Sequence, residues 1–277
     1  MNAKHIIDAD TAWILIRDHL AGITSNLITI DGSGFWNCRQ EVSDAATHLL
    51  DIYAPLVAAS TTSGQIVAHL GQTLDGFIST TTGASHYVTG PENIVHLHRM
   101  RALSDAVVVG ANTVSHDDPK LTTRLVPGDN PVRVVIDPER RLEPNQKLFT
   151  DPSTQTLVLC TPRAANKSND VGRHVEIVAV PSKTRHIPVG ACLEALGARG
   201  LERLFIEGGG DTVSRFVKAE VVDHLQITVA PVLFGAGRPG LRLPPVATPD
   251  QALRPSCRQF QLGSDVLFDC RLSRTFT

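Results

Sequence analysis

The chain has 277 residues, 42% hydrophobic and 19% charged, with a formal net charge of −2, which suits a globular protein able to bury a sizeable core. That balance argues against a strongly basic nucleic-acid or membrane-surface protein and leaves small molecules or a second copy of the chain as partners. Cys38, Cys160, Cys192, Cys257 and Cys270 are scattered, odd in number and without a CxxC pair, so reduced, packed thiols are expected, with no disulfide framework and no zinc site. The first residues, MNAKHIIDADTAW, carry acids and no long apolar run. No later window approaches a membrane span, and a cytoplasmic location is expected.

Helical spacing begins early. Trp13, Ile16 and Leu20 share a face over residues 12–20, and Val42, Ala45, Ala46, Leu49 and Leu50 share one over 41–52. Between them LITIDGSGFWN has the DG and SG punctuation of turns. The SerThrThrSerGly run at 60–64 reads as a boundary, giving an extension over 1–63 and a main domain over 64–277. In that domain strand-like runs at QIVAHL, DAVVVG, PVRVVID, TLVLC, VEIVAV and RLFIEG alternate with helical stretches near 92–103, 189–199 and 211–222. This predicts an α/β fold with a largely parallel sheet. Residues 223–234, then RQFQLG and DVLFDCRL turning at Gly263 and Ser264, predict an antiparallel edge completing a mixed sheet.

Chemistry concentrates at strand ends. Gly208, Gly209 and Gly210 leave the backbone bare where a strand stops, and Asp211 or Thr212 is placed to cap a helix whose apolar face is Val213, Phe216, Val217 and Val221. Free N–H groups and the helix dipole would converge there on a phosphate, while a tight turn without ligand is the other reading. Glu207 precedes the glycines, where ligands gather in α/β sheets; it is either a ligand contact or the partner of a nearby arginine. GANTVSHDDPKLTTR follows a strand and reads as a functional loop holding Thr113, Asp117 and Asp118, with turn formation by the two acids before Pro119 as the lesser alternative. His116 beside two aspartates does not make a convincing metal site. Arg101 lies on a helix expected to bury Ile94, Leu97 and Leu103, its guanidinium suited to phosphate. His96 and His98, two apart, face different ways. Neither GxSxG nor HExxH occurs.

These blocks together resemble the reductase domain of the bacterial bifunctional deaminase-reductase of riboflavin biosynthesis and its stand-alone archaeal and fungal relatives. The motifs are TLDGFI at 73–78, SHYVTG at 85–90, RALSDAVVVGANTVSHDDPKLTTR at 101–124, PVRVVID at 131–137, FIEGGGDTVSRF at 205–216 and LQITVAPVLFGAG at 225–237. The resemblance runs from about residue 64 to the C-terminus. It implies a dihydrofolate-reductase-like fold, a homodimer, and NADPH as cofactor, with phosphates at Gly209, Gly210, Asp211 and Thr212 beside Gly208 and the nicotinamide side near Gly71, Thr113 and Asp117. It also implies a substrate pocket of Ser85, Arg101, Leu121, Arg124 and Glu207, the arginines and serine suited to a sugar phosphate. Glu207, Asp117 and Thr113 are the catalytic candidates, and no metal is needed. The implied reaction carries a hydride to C1 of a ribosylamino-pyrimidine phosphate, giving the ribityl product.

Three departures qualify the resemblance. Phe77 stands where the family usually has lysine or arginine, and Tyr87 replaces the commoner tryptophan. Residues 1–63 contain no HxE and no PCxxC, so zinc-dependent deamination is not expected. Rival readings are a same-fold reductase of another flavin- or pterin-like precursor, motivated by Phe77, and a catalytically idle dinucleotide-binding subunit. Arg140 and Arg141, after a strand, are candidates for the 2′-phosphate of NADPH.

Overall fold

A computed structural model describes residues 6–60, 64–85, 88–167 and 171–272. Its contacts divide the chain into units Met1–Gln65 and Ile66–Thr277. The first unit holds helix α1 (Ala9–Leu20), the paired strands β1 (Ile28–Ile30) and β2 (Trp36–Cys38), and helix α2 (Asp44–Ser60). The Asp8 carboxylate caps α1 by accepting from the Thr11 N–H. Trp13 of α1 meets Tyr53 of α2 edge-on, ring centroids 5.5 Å apart. The β1–β2 pair, absent from the sequence reading, turns at Gly34 (φ +86°); a Cβ there would lie 2.2 Å from the Pro55 Cα, so only glycine lets the turn sit on α2.

The second unit runs β3 (Ile66–Thr73), β4 (Phe77–Thr80), α3 (Pro91–Ala102), β5 (Ala106–Gly110), α4 (Ala111–Asp117), β6 (Val132–Ile136), α5 (Lys147–Thr150), β7 (Thr156–Cys160), α6 (Pro162–Ala165) and β8 (Val175–Ala179). It continues with α7 (Val189–Gly197), β9 (Leu204–Glu207), α8 (Gly210–Lys218), β10 (His224–Ala230), β11 (Gly237–Pro239), β12 (Ser256–Leu262) and β13 (Asp265–Arg271). Among the described residues nine strands form one sheet in the order β12-β13-β10-β3-β9-β5-β6-β7-β8. Strands from β10 to β8 are parallel, and β13 and β12 close one side antiparallel. The chain passes from β3 to β5 and fills the gap later with β9. Connections therefore diverge around β9, the place where ligands bind in open parallel sheets.

The Val-, Leu- and Ile-rich strand runs are buried on the central sheet, with Val108, Val134, Leu159 and Ile206 among the core residues. Helix α8 presents Val213, Phe216 and Val217 to that core, but Val221 lies beyond its end at Lys218. Helix α3 departs further from expectation. Ile94 is 38% exposed and Leu97 only half-buried, while Asn93, His96, His98, Met100 and Arg101 are buried and Leu103 follows the helix. The reason lies in the sheet face beneath, where His69, Gln226 and Thr228 need hydrogen-bonding partners. His96 Nε2 lies 2.9 Å from Gln226 Oε1, His69 Nε2 lies 3.2 Å from Asn93 Oδ1, and the Thr228 hydroxyl donates to the same oxygen at 2.7 Å.

Burial holds these histidines neutral. His69 is pushed down to about 4 and His96 to about 3, and burial with the nearby Arg101 and Arg124 pushes His98 down to about 4. From the ordinary value of 6.5 downwards the unfolded chain therefore takes up protons that the native chain refuses. Their contribution to stability is complete above pH 6.5 and is lost as the pH falls towards 4, at about 1.4 kcal/mol per proton and pH unit. Urea midpoints are expected to drop steeply across that window, and His96→Gln should remove about one proton from the slope. A flat profile down to the carboxylate range would contradict this account.

Candidate active site

Residues from distant parts of the sequence meet at the C-terminal ends of β3, β9 and β5. Glu207 closes β9, opposite His69 in register, and its carboxylate accepts from Arg101 of α3. Arg101 Nε donates to Glu207 Oε2 at 2.7 Å, and Nη2 donates to Oε1. Side-chain exposures of 7% and 14% make this a largely buried ion pair, of the forked geometry that arginine favours. Arg101 Nη1 also donates to the Thr122 carbonyl at 3.0 Å. The arginine-partner alternative for Glu207 is therefore met, and most of the Arg101 fork is engaged within the protein.

The segment after α4 is fixed by α3. Leu121 is 1% exposed and holds φ +52°, unusual for a branched residue. The Arg124 N–H donates to His98 Nδ1 at 2.9 Å, while the Arg124 side chain is exposed. Partial desolvation and the neighbouring Arg101 lower its basicity. Sequence reasoning missed His98 and Thr122. The signal was present, since His98 and Arg101 are three apart and share a helix face.

Gly208 (φ +76°) and Gly209 (φ +72°) turn the chain sharply into α8. The helix begins at Gly210, with Gly209 as its cap and no capping side chain, so the expected cap from Asp211 or Thr212 is not formed. The early turn carries both past the cap position. Asp211 pairs with Arg242 at 3.3 Å, and the Thr212 hydroxyl packs over Gly110, 2.4 Å from where a Cβ would stand. Thr113 leans on the same turn, its hydroxyl 2.8 Å from a Cβ placed on Gly209. At Gly210 a Cβ would strike the Gly240 carbonyl at 2.2 Å, whereas at Gly208 it would meet nothing nearer than Thr113 Cγ2 at 4.0 Å. The open side of the turn thus lies at Gly208, with the uncapped first-turn N–H groups of α8 beside it.

GANTVSHDDPKLTTR is not a loop throughout, since its first residues form α4. Asp117 ends that helix and accepts from the Ser85 hydroxyl at 2.8 Å. Asp118, φ +40°, is the turn former and accepts from the Lys147 N–H at 2.7 Å. Gly71 lies on β3 opposite Thr228 of β10, and a Cβ there would meet Thr89 Cγ2 at 2.8 Å. Arg141 donates to Asn112 of α4, whereas Arg140 is spent on the Ala164 and Lys167 carbonyls. Phe77 sits in the β4–β11 ribbon with its Cγ 3.1 Å from a Cβ built on Gly237. Tyr87 lies outside the described residues. Among the described residues no cluster of three metal-ligating side chains occurs, and no helix is long and apolar enough to cross a membrane.

A family model described as the RibD C-terminal domain matches residues 65–261. A 2,5-diamino-6-ribosylamino-4(3H)-pyrimidinone 5′-phosphate reductase of Methanothermobacter thermautotrophicus is 34% identical over 173 residues, 61% of this chain and 79% of that protein. The riboflavin biosynthesis protein RibD of Aquifex aeolicus is 33% identical over 169 residues, and the match covers 60% of this chain and 46% of that protein. Among solved structures, the Thermotoga maritima diaminohydroxyphosphoribosylaminopyrimidine deaminase/5-amino-6-(5-phosphoribosylamino)uracil reductase superposes with a TM-score of 0.64 at 24% identity. That superposition covers 84% of this chain and 64% of the other, and it bears on the fold alone.

Proposed function

The chain belongs to the RibD C-terminal domain family, and we propose that it is an NADPH-dependent reductase of a phosphoribosylamino-pyrimidine, yielding the ribityl product. The observation that carries the reading is the Arg101–Glu207 pair at the end of β9, next to the open glycine turn and uncapped helix. Together they set a substrate-facing polar group beside an anion cradle, the arrangement that a phosphorylated substrate and a dinucleotide require. Assembly as a homodimer and a cytoplasmic location belong to the same reading.

The residues fit the cofactor. Gly208 leaves room for close approach, and the N–H groups from Gly209 to Thr212 with the positive helix end would receive its phosphates. Arg141, exposed and anchored on Asn112, is better placed than Arg140 for a 2′-phosphate. When bound, NADPH supplies the hydride. The protein's own groups then do the positioning: Arg101 orients the Glu207 carboxylate to accept from polar groups of the substrate, and Arg124 offers its exposed guanidinium to the sugar phosphate. Ser85 and Asp117 act as one hydrogen-bonded unit beside Thr113, where C1 of the sugar and the nicotinamide would be held in contact.

Oxidation of NADPH on addition of the phosphoribosylamino-pyrimidine tests the activity directly. Retention of cofactor without turnover would favour an idle binding subunit. The cradle is tested by Gly208→Ala. Its positive φ costs an L-residue about 1–2 kcal/mol, but there is space for the methyl, so the variant should fold. NADPH affinity is expected to fall, and an unchanged Kd in the folded variant would remove the phosphates from this turn. Valine at Gly209 is a poorer probe, because it would strike Thr113 whether or not cofactor binds.

A further inference from the structure

Cys257 and Cys270 are thirteen positions apart in sequence, and the antiparallel register of β12 and β13 makes them direct partners. Their sulfurs stand 3.0 Å apart, Cys257 exposed and Cys270 half-buried. Both are free thiols, and the expectation of packing is not met at Cys257, while Cys160 and Cys192 are buried. Facing residues of an antiparallel pair have Cβ atoms about 4.5–5.5 Å apart, close to the spacing that a disulfide needs, so bonding requires little backbone movement. Among the described residues strand β12 is the last in the sheet and pairs with β13 alone. Strand β13 in turn bears on the site, since Asp265 Oδ2 accepts from the Gly90 N–H at the start of α3, the helix carrying His98 and Arg101.

We propose that Cys257 and Cys270 form a thiol–disulfide exchange site for small-molecule disulfides of the glutathione type, closing to an intramolecular cross-strand disulfide that pins the edge strand. The exposed Cys257 thiolate attacks one sulfur of the small disulfide, giving a mixed disulfide and releasing one thiolate. Cys270 then gives its proton to solvent and attacks the Cys257 sulfur, expelling the second thiolate. The two protein thiols are oxidised by two electrons, and the small disulfide is reduced to two thiols. Burial and the adjacent Cys257 push the Cys270 thiol up to about 12 in the reduced pair, which assigns the first attack to the exposed Cys257.

The test is incubation of the whole chain with oxidised glutathione, followed by intact-mass analysis, peptide mapping and amide exchange. Loss of the mass of two hydrogens is expected, with a peptide containing Cys257 linked to one containing Cys270. Exchange across Ser256–Leu262 should slow on the order of a hundredfold, the factor that closing a loop of this length carries in the chain-entropy account. Reductant should reverse both changes. In Cys257→Ser, a surface substitution that keeps the strand, the two-hydrogen loss should vanish. A persistent glutathione adduct on Cys257, a disulfide between two chains, or no reaction would each overturn the proposal.

Discussion

Arg101→Ala is expected to lower folding stability by about 3–5 kcal/mol, because it strands a largely buried carboxylate without its counter-ion. This is a larger and different loss from that of a simple phosphate ligand. One charge-assisted contact to a substrate would cost about 1.5–3 kcal/mol in substrate terms and leave the fold untouched. The distinction follows from geometry. Arg101 spends Nε and Nη2 on Glu207 and Nη1 on the Thr122 carbonyl, so its removal frees a strand end and a loop at once. Glu207→Gln should be milder, since an amide can still accept from the arginine. Combining it with Arg101→Met should recover stability while activity stays lost, because no charge is then left buried. Urea unfolding of the parent, of Arg101→Ala, Arg101→Met and Glu207→Gln singly, and of the double variant, with kcat/KM for each, measures both effects. An Arg101→Ala protein as stable as the parent, impaired only in substrate affinity, would return Arg101 to the role of phosphate ligand.

The parallel sheet was legible because β5, β6, β7 and β9 are short apolar runs bounded by turns, and burial on both faces demands such runs. The glycine turn before α8 was legible for a related reason, since three successive glycines at a strand end leave few alternatives to a sharp change of direction. Helix α3 was misread because periodicity locates apolar residues and assumes the facing sheet to be apolar too. Here the facing strands present His69, Gln226 and Thr228, so the buried stripe is polar and Ile94 is left outside. The β4–β11 ribbon, and the approach of Gly240 to Gly210, depend on contacts between distant segments and left no local pattern. For the site, the residues could be named from motifs, but their partners could not. Nothing in the spacing of Ser85 and Asp117, or of Arg101 and Thr122, says that they bond to each other.

His98 connects the misread helix to the substrate side, and its replacement is expected to act on substrate binding without touching the cofactor. Its Nδ1 accepts from the Arg124 N–H at 2.9 Å, which places the ring proton on Nε2 in the neutral form. Arg101 holds the Thr122 carbonyl of the same segment, so two side chains of α3 fix the backbone from which Arg124 projects. His98→Leu removes the acceptor and leaves a backbone N–H unpaired, a cost of about 1–3 kcal/mol that the segment can relieve only by moving. KM for the phosphorylated pyrimidine should therefore rise on the order of tenfold, with the Kd for NADPH unchanged. His98→Asn places an amide oxygen near the Nδ1 position and should restore most of the loss, which a purely volumetric role for the ring would not allow. The pH dependence separates the two further. Because His98 is held down to about 4, the parent should show an added loss of substrate affinity as the pH approaches that value, when Nδ1 takes a proton and can no longer accept. The asparagine variant has no such group and should lack that limb. Equal losses of substrate and NADPH affinity in His98→Leu, or no rescue by asparagine, would show that the ring merely fills space beneath the segment.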